Sequence, residues 1–164
     1  MDLVTALALV IGALGAVATW LFLGPLAPLG LQIWAAFIGW GSFYHCGGGE
    51  GGLKNAIVGG IWGALCAAAA FVLMPMVGMG TVGAAICVGV AVAVMILGAH
   101  LPLLSAIPAA VYGFASTAAM VLLKGASVTS PDLTTNPLVV VSASLAIGAV
   151  FGYVSEKIAK AVAS

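Results

Sequence analysis

The sequence has no arginine, only four lysines and four acidic residues, and no polar stretch longer than a single loop. That scarcity excludes a soluble globule, because 5% charged residues cannot clothe a chain that is 64% apolar. It also excludes a nucleic-acid partner, since no basic patch exists to meet phosphates. Three cysteines, Cys46, Cys66 and Cys87, have no CxxC spacing, and two lie inside apolar runs, so they read as small core residues rather than a disulfide or metal framework. No acidic residue lies at the centre of an apolar run, which disfavours proton- or sodium-coupled pumping. Alternation of polar and apolar residues at the strand period is absent as well, which argues against a transmembrane barrel.

What is present is a succession of long apolar runs, the pattern of a polytopic helical membrane protein. There are six, at about Leu3–Leu23, 26–44, 53–74, 81–97, 102–123 and 137–155. At about 1.5 Å per residue each is expected to cross a core of about 30 Å. Met1-Asp2 opens the first run without a basic segment, so Ala16-Val17-Ala18 is not read as a cleavage site and the run is expected to stay as a helix. The polar stretch 124–136 is the longest loop, and Asn136-Pro137 reads as a helix cap followed by proline at the first helical position. The last residues, 156–164, read as a short amphipathic tail at the interface.

One stretch is written twice. GPLAPLGLQIWAAFIGWGSF at 24–43 returns, seventy-four positions on, as GAHLPLLSAIPAAVYGFAST at 98–117, with eight of twenty positions identical. The matches include Gly24/Gly98, Pro28/Pro102, Gly39/Gly113 and Ser42/Ser116 as well as aliphatic residues. Runs 2 and 5 are three crossings apart, so the copies are expected to run in opposite directions through the bilayer. The predicted fold is therefore all-α, six helices forming a 3+3 inverted-topology repeat, the first repeat about 1–74 and the second about 75–155. In run 3, Asn55, Gly59, Gly63 and Ala67 recur every fourth residue; in run 6, Asn136, Val140, Ser144, Gly148 and Gly152 do the same. Each asparagine is expected at a helix start. Gly59, Gly63, Gly148 and Gly152 are expected to pack against other helices, within the chain or across a homo-oligomer.

Polar groups inside hydrocarbon are costly, so those in the runs and at one mouth are the functional candidates. Trp34, Phe37, Ser42, Tyr44 and His45, around run 2, are read as lining a pore or solute path. Asn55, Tyr112, Ser116 and Asn136 join them from the other runs. Gly39 and Gly41 in run 2, and Pro108 in run 5, are expected to break their helices internally, as in transporters that site substrates at broken helices. His45, Cys46 and Glu50 are ligand types, but no second cluster completes a shell, so no metal and no cofactor are expected. The glycine-rich loop lacks the Lys-Ser/Thr ending of a phosphate loop. No Ser-His-acid or Cys-His set shares a plausible location, so no catalytic residues are assigned and no enzyme activity is expected.

The motifs Trp34-Ala-Ala-Phe-Ile-Gly39, Gly51-Gly-Leu-Lys54, Pro108-Ala-Ala-Val-Tyr-Gly113 with Ala115-Ser116, and Ser144-Leu-Ala-Ile-Gly148-Ala-Val-Phe-Gly152-Tyr153 together resemble the YcdZ-like family of small bacterial inner-membrane proteins, a family of unknown function. The resemblance implies location and architecture and brings no activity. Lys54, Lys157 and Lys160 against Lys124 orient both termini to the cytoplasm. The expected function is passive passage of a small neutral or weakly charged solute through the bilayer. The alternative is a non-transporting structural or regulatory partner of another complex.

Overall fold

The computed structural model describes residues 1–163. The chain is all-helical: α1 (Leu3–Leu23), α2 (Ile33–His45), α3 (Gly49–Val77), α4 (Gly80–Leu97), α5 (Ile107–Lys124) and α6 (Pro137–Ala163), with short 3₁₀ turns at Ala27–Leu29, Gly98–His100 and Pro102–Leu104. Five of these helices are long and apolar enough to cross a membrane. The protein is thus a multi-pass helical membrane protein. The exception is α2, whose 13 residues reach only about 20 Å. The expectation of six full-length crossing helices is corrected there.

The same region corrects the expected breaks. Gly39 and Gly41 lie inside an unbroken α2, and Pro108 sits in the first turn of α5, where its missing N–H is harmless. The irregular backbone comes before each helix, at 24–32 and 98–106. Ile33 and Ile107, partners at the seventy-four spacing, are the first residues of α2 and α5.

Two further boundaries differ from the sequence reading. Helix α3 begins at Gly49, so Asn55 lies in its second turn and caps nothing. The start is moved forward by Gly47, Gly48 and Gly49, all at positive φ, and by Glu156, whose Oε2 accepts the Gly49 N–H at 2.7 Å. Residues 156–163 form no separate tail: α6 runs on through them, with Ser155 and Ala159 fully buried and Glu156 held against the start of α3. The proline in α3, Pro75, does not end it; the helix continues to Val77.

The core is built of α2, α3, α5 and α6. Helix α3 packs along α5 and α2 along α6, with α3 and α6 touching between them; α4 lies on α3 and α1 on α6. Gly59 stands beside Ala106 and Ala109, and Gly63 beside Ala110 and Phe114, so α3 and α5 run in the same direction. Along the other pair, the Gln32 N–H donates to Ser144 Oγ at 2.9 Å, Gly148 meets Ala36, and Trp40 and Tyr44 reach Ser155. These two helices are parallel as well. The Lys124 ammonium, ending α5, donates to Gln32 Oε1 just before α2, so α2 and α5 run oppositely.

The crossings are backbone contacts. A Cβ added to Gly63 would lie 1.7 Å from the Ala110 carbonyl oxygen, and one on Gly148 would lie 1.8 Å from that of Ala36. Gly59 abuts the Ala109 methyl and Gly152 the Phe43 ring. Gly148→Ala is expected to destabilise the fold by about 1–3 kcal/mol through forced separation of α2 and α6. Gly12→Ala, whose methyl meets nothing within 4 Å, is expected to be neutral or slightly stabilising. Thermal unfolding in detergent compares the two; equal melting temperatures would remove the packing role of Gly148.

Candidate functional site

Because α2 is held by α6 and α5 by α3, they face one another loosely and leave between them a cavity of about 580 Å³, open at the surface of the bundle where Gly41 and Ala115 are exposed. Helix α2 contributes Trp34, Ile38, Gly41, Ser42 and His45, and α5 contributes Tyr112, Ala115, Ser116 and Ala119. No acidic residue, lysine or arginine is among them. Eight of the nine fall into pairs seventy-four residues apart: Ile38/Tyr112, Gly41/Ala115, Ser42/Ser116 and His45/Ala119. Gly41 and Ala115 are small enough to leave the space open.

The two ends differ. At one, His45 Nδ1 and the Tyr112 hydroxyl share a hydrogen bond of 2.7 Å. At the other, the Trp34 indole N–H donates to Gln32 Oε1 at 3.2 Å, and the Lys124 ammonium donates to the same oxygen at 2.6 Å. Between them lie Ser42 and Ser116, 3% and 2% exposed. Neither hydroxyl has a hydrogen-bond partner; only the Cys46 thiol, a weak one, lies beside Ser42. Leaving a buried hydroxyl unsatisfied costs about 1–3 kcal/mol.

Trp34, Ser42, His45, Tyr112 and Ser116 from the sequence reading therefore come together, and four other candidates lie elsewhere. Phe37 is 45% exposed on the outer face of α2, stacked on Trp40. The Tyr44 hydroxyl is bonded to Ser155 at 2.8 Å, between α2 and α6. Asn55 is half-buried on α3, outside the cavity lining. Asn136 caps α6, accepting the Leu138 N–H at 3.0 Å, and its amide donates to the carbonyls of Val128 and Ser130. Both amide protons are spent inside the loop, so none points toward a solute. Ile38, Gly41, Ala115 and Ala119 were missed because they carry no polar group, although Gly41/Ala115 was readable as a small pair in the duplication. Among the described residues, no three His, Cys, Asp or Glu side chains gather as a metal site.

The loop that Asn136 closes is a network of its own. Asp132 accepts the Thr134 hydroxyl and N–H, which hold its carboxyl below the ordinary range. Asn136→Asp keeps the helix cap but sets a carboxylate against two carbonyl oxygens. It is expected to destabilise by about 1–3 kcal/mol and to speed proteolysis within 125–136. Unchanged melting and cleavage rates would mean that the cap alone matters.

Comparison with known proteins adds a family. The family model described as a protein of unknown function (DUF1097) matches residues 8–160, and the chain belongs to that family. No curated protein and no solved structure matches it.

Proposed function

We propose that this member of a family of unknown function is a non-enzymatic facilitator that lets a small neutral or weakly charged solute cross the membrane passively, by way of the cavity between α2 and α5. The observation that supports the reading is the pairing of its lining at the seventy-four spacing, as expected of a cavity on an axis relating two halves. The halves are about 1–74 and 75–155, an inverted repeat in which α1, α2 and α3 correspond to α4, α5 and α6. The crossings support it: Gly63 meets Ala110 as Gly148 meets Ala36, and Gly113 meets the Gly60 carbonyl as Gly39 meets that of Leu145. Membrane transporters commonly place their sites on such an axis, beside irregular backbone.

The same proposal includes a bacterial inner membrane as the location and the YcdZ-like family as the closer kin. The end of the bundle with Lys54, Lys157 and Lys160 faces the cytoplasm with both termini, and Lys124 faces away. A second reading, a non-transporting partner of another copy or complex, draws on exposed apolar residues of α2 and α5, Phe37 and Val111 among them.

Two measurements test this. In a background without native cysteines, Ala27→Cys and Leu101→Cys mark equivalent, exposed positions of the two segments. An impermeant thiol reagent is expected to label them from opposite sides of the membrane, and labelling from one side would end the inverted repeat. Proteoliposomes are expected to equilibrate small solutes faster than empty vesicles. Equal rates across a panel of neutral and charged solutes would leave the partner reading.

A further inference from the structure

Hydroxyls on membrane helices usually bond back to their own backbone, and this chain does so where packing is structural. Thr19 donates to the Gly15 carbonyl at 2.8 Å, Ser144 to that of Val140 at 2.7 Å, and Ser155 to that of Gly152 at 2.7 Å. Ser42 and Ser116 make no such bond, although each is almost completely buried on a helix of ordinary geometry. Thr117 and Ser142 also lack partners, but neither lines the cavity. The two that do are the equivalent residues of the duplicated segment.

We infer that Ser42 and Ser116 are a matched pair of binding groups for an uncharged solute that both donates and accepts hydrogen bonds, the chemistry shared by short polyols and simple amides. The inference rests on the facilitator reading and narrows it. Each hydroxyl offers one proton and two lone pairs, so the pair serves a ligand of mixed character equally from either side. An ion is disfavoured because no acidic residue, lysine or arginine lines the cavity to compensate the loss of its hydration. The Lys124 ammonium is bonded to Gln32 and lies outside the lining. Trp34, Ile38 and Ala115 supply apolar surface for the carbon skeleton.

The test uses full-length protein in proteoliposomes, with glycerol and urea as neutral probes and formate and ammonium as charged ones. The parent is expected to pass glycerol, urea or both, and to exclude the ions. At low solute concentration, Ser42→Ala and Ser116→Ala are each expected to slow neutral flux about fivefold, the worth of one hydrogen bond, and the double variant more. Ser142→Ala, outside the cavity, is expected to leave flux unchanged. Melting temperatures of the two cavity variants are expected to stay level or rise, because each removes an unsatisfied buried hydroxyl. Ion passage without neutral passage, or neutral flux indifferent to both alanines, overturns this inference and leaves a facilitator standing. Absence of any flux in the parent overturns the facilitator reading itself.

Discussion

Everything in this fold depends on two close backbone crossings. In a bilayer, apolar side chains gain little by touching each other instead of lipid, so helices associate where their backbones can come near. Here each crossing is made by a glycine from both partners: Gly39 under the Leu145 carbonyl and Gly148 under that of Ala36, then Gly63 under the Ala110 carbonyl and Gly113 under that of Gly60. No side chain larger than hydrogen fits any of the four positions. The consequence lies away from the contacts. Because α2 is locked to α6 and α5 to α3, α2 and α5 are not pulled together, and a space is left between them.

The shortness of α2 follows a second constraint, that irregular backbone at membrane depth must be covered by protein. The segment before α2 is covered by the loop before α6. Gly30, at φ +70°, lies so near the Thr134 carbonyl that a Cβ would sit 1.8 Å from its oxygen, while Gln32 bonds through its N–H to Ser144. The segment before α5 satisfies itself through 3₁₀ turns, with Leu101 donating to Gly98, Leu104 to Leu101 and the Ser105 hydroxyl to Pro102. Gly98 meets the Trp62 ring of α3. Different neighbours thus protect two segments of similar sequence.

The all-α membrane class was legible because composition leaves no other solution, and the common start of α2 and α5 was legible because the duplicated prolines and glycines carry local turn chemistry. The site was half legible. Ser42, Ser116 and Tyr112 stood out as polar groups in apolar runs, whereas Ile38 and Ala119 carry no sign of their position. What failed did so for tertiary reasons. The sequence places Asn55 at a helix start because glycines 47–49 look like a loop; a carboxylate from Glu156, 107 residues away, meets the Gly49 N–H where α3 begins. The sequence offers Asn136 as a path-lining candidate because it is a polar residue at the start of an apolar run. In the fold the loop carbonyls of Val128 and Ser130 take both of its amide protons.

The cavity has a symmetric middle and unlike ends. Gly41/Ala115 and Ser42/Ser116 are matched, but the equivalent of His45 is Ala119, and the equivalent of Trp34 is Pro108, which is absent from the lining. For a passive path this difference cannot set direction, since without an energy source a solute distributes by its gradient however the mouths are built. What the ends can change is entry. One end carries the Trp34 indole plane and the Gln32–Lys124 pair, and the opposite end carries the bonded His45–Tyr112 pair. Under the proposed facilitator role, selection among uncharged solutes would fall to the two ends and holding them to the paired hydroxyls. Under that proposal the matched residues in the middle of the cavity are the ones that would bind, and the unlike ends are the ones that would differ in what they admit.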